Sequence, residues 1–97
     1  MSRFVINKKM YDTEKATYLG DVDKWYKSEF FSNFYGKDVG TTYVCKLYRT
    51  DKNNYFIVHE EGMKVIGQAI SEEQAKELLM NTNPDVYVIY FGEIEEA

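Results

Sequence analysis

The chain has 97 residues, of which 44% are apolar and 29% charged, with a formal net charge of −4, one Cys, one His and one Pro. That length accommodates a single core, and the composition excludes a disordered or proline-rich chain. No apolar run approaches the roughly 20 residues that span a bilayer, Met1 to Asn7 lacks a secretory hydrophobic stretch, and lone Cys45 has no internal disulfide partner, so one cytoplasmic domain over residues 1–97 is expected.

Phe4-Val5-Ile6 and Met10-Tyr11 flank the polar Asn7-Lys8-Lys9. This pattern predicts a tight β-hairpin in which Asn7 takes the left-handed conformation. Asp12-Thr13-Glu14 reads as a turn, and Ala16-Thr17-Tyr18-Leu19 as a third strand that stops at Gly20-Asp21 and packs or pairs with the hairpin. Thr41 to Arg49 is rich in β-branched and aromatic residues, Asp51 to Asn54 is turn chemistry, and Tyr55-Phe56-Ile57-Val58 resumes the strand pattern. A second hairpin follows from these signals. After Glu60-Glu61-Gly62, Met63 to Ile66 predicts one more antiparallel strand.

Ser71-Glu72-Glu73-Gln74 fits a capping box, with Ile70 placed to staple onto Ala75. A helix is predicted from about Glu72 to Met80, its stripe Ala75, Leu78 and Leu79 covering the sheet while Glu73, Lys76 and Glu77 face outward. Asn83-Pro84-Asp85 opens a second helix that Gly92 stops. Val86 to Phe91 also has strong β preference, and period alone does not settle so short a run; the helix is preferred. The expected fold is α+β: an antiparallel sheet of about five strands built from hairpins, covered by one or two C-terminal helices, with 93–97 as an acidic tail.

Sixteen percent of the residues are aromatic, whereas acid-base and nucleophilic groups are scarce. Large amphipathic rings suit gripping a partner better than transforming a substrate. Between Trp25 and Tyr35, six rings occur in eleven residues, and two readings are open. The stretch is either an adhesive element, with Trp25, Tyr26, Phe30, Phe31 and Tyr35 as anchors, or an irregular or helical flap whose rings complete the core.

Charge is unevenly spread: residues 1–59 hold ten Lys/Arg against seven Asp/Glu, and residues 60–97 hold two against nine. Glu73, Glu77, Glu93 and Glu95 can therefore meet a basic protein groove, unless they serve only as helix-start acids and a solvated tail. Lys46, Arg49 and Lys52 share the second hairpin with Tyr43, Tyr48 and Tyr55, which leaves direct nucleic-acid binding as the alternative. Strand alternation lets at most half of that set point together.

His59 beside Glu60 and Glu61 reads as a polar strand-end residue, since no second His and no nucleophile accompany it. Asp21 and Asp23 lack the other ligands of a calcium loop and are assigned to a turn, and Gly36-Lys37-Asp38-Val39-Gly40 lacks the Gly-Lys-Ser/Thr ending of a phosphate loop. No enzyme, metal or cofactor is expected, and a third reading is a homo-oligomeric structural protein that uses an exposed strand edge or the aromatic stretch.

The opening Ile6 to Ala16, the central Leu47 to Phe56, the helix start Ile70 to Lys76 and the terminal Phe91 to Glu96 resemble a family of short uncharacterised proteins carried by phages, plasmids and other mobile elements of Gram-positive bacteria. Small acidic proteins of such elements include anti-CRISPR inhibitors of Cas9. The resemblance implies a counter-defence role in a bacterial host cell: a protein-binding inhibitor whose partner is a host defence protein such as a CRISPR effector nuclease. It supplies no active-site motif.

Overall fold

The computed structural model describes residues 2–94. In chain order the elements are β1 (Arg3–Ile6), β2 (Lys9–Asp12), β3 (Thr17–Lys27), α1 (Glu29–Tyr35), β4 (Gly40–Arg49), β5 (Tyr55–Glu61), β6 (Lys64–Ile70), α2 (Glu72–Thr82) and α3 (Pro84–Phe91). The α+β class and the C-terminal helices are as expected, but the six strands form two antiparallel sheets, β1-β2 and β3-β4-β5-β6. No helix among the described residues is long and apolar enough to cross a membrane.

The first hairpin turns on Asn7 and Lys8, both with positive φ (52° and 66°), between the paired residues Ile6 and Lys9. Two left-handed residues in a two-residue loop match the right-handed twist of the flanking strands. This hairpin lies flat on the outer face of the larger sheet. Tyr11 meets Phe56 edge-on at 5.3 Å, and the Phe4 ring lies so close to Gly67 that an added Cβ there would sit 2.5 Å from it. Only glycine permits that approach.

The third strand departs most from expectation. It neither stops at Gly20-Asp21 nor pairs with the first hairpin; it runs on to Lys27 and pairs along its length with β4, absorbing Asp21 and Asp23 that turn chemistry would claim. A bulge between Tyr18 and Gly20 makes this possible. Gly20 has φ 156°, and a Cβ there would meet Asn83 and Val86 at 3.2–3.5 Å, so the same residue shifts the register and admits α3.

The two C-terminal helices cover the inner face. Ser71 closes the capping box with Gln74 in both directions (2.9 and 3.1 Å), and α2 runs two residues past Met80 to Thr82, whose hydroxyl accepts the backbone N–H of Asp23 at 3.2 Å. Ala75 and Leu79 are buried with Val22, Cys45, Leu47, Ile57 and Ile70, and Leu78 packs at their margin. Lys76 is half-buried rather than outward, its ammonium 5.4 Å from the centre of the Phe91 ring. Residues Val86, Tyr87, Tyr90 and Phe91 of α3 form one stripe against the same core. Helical spacing of that stripe, after the Asn83-Pro84 start, overrides the β preference of the segment.

Candidate partner-binding surface

The β3-β4 ladder extends from Thr17↔Arg49 to Lys27↔Gly40, whereas β4 pairs with β5 only from Lys46 to Arg49. Beyond Lys46 the ladder thus leaves β5 as a two-stranded ribbon whose Tyr26 and Tyr43 bend over the inner face onto His59, and α1 forms its tip. Ser28 caps α1 by accepting the N–H of Phe31 at 3.4 Å. Gly36 ends it in the left-handed conformation, its N–H bonded to the Ser32 carbonyl at 3.0 Å. The Ser32 hydroxyl donates to the Val39 carbonyl at 3.1 Å and accepts its N–H at 2.9 Å, which ties the helix to the returning chain.

Burial on α1 is the reverse of an ordinary amphipathic helix. Its one buried residue is Ser32, while Phe30 and Phe34 are 72% and 74% exposed and Phe31 and Tyr35 about half exposed. The rings touch one another: Phe30–Phe31 at 5.2 Å, Phe31–Tyr35 at 6.4 Å and Phe34–Tyr35 at 5.0 Å between centroids. They form one continuous aromatic surface. Each fully buried ring of this size is worth about 1.5–3 kcal/mol of transfer free energy, which the isolated chain leaves unrealised. Phe34, absent from the sequence-based anchors, is among the most exposed rings of the tip.

Strand alternation separates the remaining two anchors. Trp25 points to the outer face opposite Thr42, its ring against Gly40 and half exposed. Tyr26 points to the inner face, where its hydroxyl donates to Gln68 Oε1 at 3.0 Å. Burial, and then the neighbouring Cys45 thiol, push the Tyr26 phenol pKa upward. Tyr26 is thus a structural strap within the free protein.

The acids occupy other ground. Glu73 and Glu77 are exposed on α2, which starts where Ile70 pairs with Tyr55 and Tyr55 with Arg49, at the opposite end of the sheet from α1. Glu93 is exposed beyond α3; Glu95, like 95–97 of the expected tail, lies outside the described residues. Rings and carboxylates thus form two surfaces.

The alternative cationic set also divides. Lys46 is exposed on the outer face, Arg49 holds its guanidinium 5.6 Å from the Tyr90 ring on the helical side, and Lys52 lines a cleft at the β4-β5 turn. No single surface presents all three.

His59 lies within β5 rather than at its end, and its side chain is 2% exposed. Tyr26 and Tyr43 stack on either side with centroids at 4.8 Å each. Nε2 is 3.4 Å from Glu61 Oε2, and Nδ1 is buried without a partner. Cys45 is core, as its setting suggests: its thiol is buried, 3.7 Å from the Tyr43 carbonyl, and burial raises its pKa. Among the described residues, no three His, Cys, Asp or Glu side chains converge to hold a metal ion. No family model matches the chain, and neither a curated protein nor a solved structure does so.

Proposed function

We propose that this protein is a non-enzymatic binding protein that seats the aromatic tip of α1 in an apolar depression on a partner protein. The observation that carries the reading is the inverted burial of α1, with serine inside and four contiguous rings outside. Aromatic residues, Phe and Tyr included, are enriched at the buried cores of protein interfaces. Ser28, Ser32 and Gly36 fix the helix before any partner arrives, so little ordering entropy opposes docking. The chemically reactive groups favour the same reading: His59 is sealed between two tyrosines and Cys45 is buried.

The resemblance to mobile-element proteins directs the choice of partner to a host defence nuclease in the bacterial cytoplasm, a CRISPR effector such as Cas9. In that setting Glu73, Glu77 and Glu93 form a second contact, competing with phosphates for Arg and Lys. A pull-down and cleavage assay over a panel of purified Cas9 proteins tests the partner. Retention together with loss of cleavage at micromolar excess is the expected result; neither effect on any member removes the CRISPR form of the reading.

A further inference from the structure

At the end of the sheet remote from α1, three turns that are distant in sequence converge. Asn7-Lys8 joins β1 to β2, Thr13 to Ala16 joins β2 to β3, and Thr50 to Asn54 joins β4 to β5. Between them is a cleft of about 730 Å³ lined by Lys8, Lys9, Lys15 and Lys52, with Met10, Tyr11 and Ala16 among its walls. That volume is within the range of small-ligand sites.

The charge balance of the cleft is opposite to that of the chain. Two carboxylates line it, Asp12 and Asp51. Asp12 is already committed: Oδ2 is 3.3 Å from Arg3 Nε, Oδ1 accepts the N–H of Glu14 at 2.9 Å, and the side chain is 7% exposed. Asp51 alone is left against the four ammonium groups, a surplus of three positive charges. None of the four lysines has a carboxylate within ion-pair distance among the described residues. Lys8 is moreover held at φ 66°, a conformation that suits Gly or Asn better, so a cation there is not what the turn itself selects. All four lysines are exposed side chains around one cleft, and like charges lining one cleft reinforce one another's potential.

We propose that this cleft binds consecutive phosphate groups, as found in a polyphosphate chain or a nucleic-acid backbone. One phosphate monoester carries at most two negative charges near neutral pH, so a surplus of three is matched by at least two linked phosphates. Tyr11, the cleft's aromatic residue, is buried against Phe56 and gives no stacking platform. The site therefore grips phosphate without reading bases. It shares no residue with the α1 surface and stands or falls separately from the docking reading.

Titration calorimetry at low salt with tripolyphosphate, and in parallel with a single-stranded oligothymidylate, tests the site. Wild-type protein is expected to bind at least one probe, and the oligonucleotide affinity is expected to fall with salt at a log-log slope of about −2 for three lysine contacts. Stronger binding of tripolyphosphate identifies a free polyphosphate ligand, and stronger binding of the oligonucleotide identifies a strand backbone; both sustain the cleft. The double variant Lys15→Gln/Lys52→Gln changes exposed turn residues only and is expected to weaken binding at least tenfold with an unchanged circular dichroism spectrum. Lys46→Gln, outside the cleft, is expected to bind as wild type. No binding of either probe by wild-type protein, or equal binding by the double variant, overturns the proposal.

Discussion

The Tyr26 hydroxyl donates a 3.0 Å hydrogen bond to Gln68 Oε1, joining one edge strand of the larger sheet to the other across the buried imidazole of His59. Tyr26 pairs with Thr41, next to the last pair of the β3-β4 ladder, so the strap fixes the end of the ribbon that carries α1. Tyr26→Phe leaves the ring in place and removes the bond, a loss of about 1 kcal/mol. For a domain of this size that corresponds to a fall in Tm of about 4–8 °C. An unchanged Tm shows that the strap contributes nothing in solution.

Two tyrosines make stability fall at alkaline pH. Burial raises the Tyr26 pKa, and Tyr18, whose hydroxyl donates to Asp21 Oδ1 at 2.5 Å, is pushed up to about 12 by that bond and then by burial. A folded-state pKa above the unfolded value of about 10 stabilises the fold fully below pH 10. The contribution is lost as pH rises from there through the folded pKa. Urea midpoints at successive pH values are expected to begin to decline above about pH 8.5, where the unfolded Cys45 thiol ionises while burial keeps the folded one neutral, and to decline more steeply above about pH 10. Asp21→Ala is expected to bring the absorbance titration of Tyr18 back toward 10; no shift means that the hydrogen bond is not made.

Phe4 and Gly67 predict how the first hairpin is held. Gly67→Ala places a methyl group 2.5 Å from the Phe4 ring, and a clash of this kind costs about 1–3 kcal/mol. The expected signature is local. Amide exchange in β1 and β2 accelerates more than in α2, whereas uniform acceleration or none contradicts this packing.

His59 tests the separation of chemistry from function. Its Nδ1 is a buried, unpartnered group, and such a group costs about 1–3 kcal/mol relative to a satisfied one. Replacing it with a ring of similar shape, His59→Phe, is expected to keep or raise Tm and to leave partner binding unchanged. A marked loss of either shows that the imidazole makes a contact of its own.

Local signals made much of this fold legible. Asn7 announced the first hairpin, Asp51 to Asn54 the second, Ser71 and Gln74 the start of α2, and Asn83-Pro84 the start of α3. The extension of β3 was not legible, because its bulge is stabilised by pairing with β4, more than twenty residues away in sequence. With that strand cut short, the alternation that sends Trp25 and Tyr26 to opposite faces was hidden as well. The orientation of α1 was ambiguous for a different reason: Phe30, Phe31, Phe34 and Tyr35 have the spacing of an ordinary core stripe. Only the bonds from Ser32 to Val39 turn the serine inward. The lysines of the cleft come together through tertiary contact alone, and no local pattern links Lys52 to Lys8, Lys9 or Lys15.

The docking role of α1 is tested most directly by the double substitution Phe30→Ser/Phe34→Ser, assayed against a Cas9 that retains the wild-type protein. Both rings are largely exposed in the free protein, so the unfolding free energy is expected to change by no more than about 0.5 kcal/mol for each substitution. Affinity, in contrast, is expected to fall at least 30-fold, the loss of a hot spot of about 2 kcal/mol or more. A folded double variant that binds and inhibits as the wild type does contradicts the account.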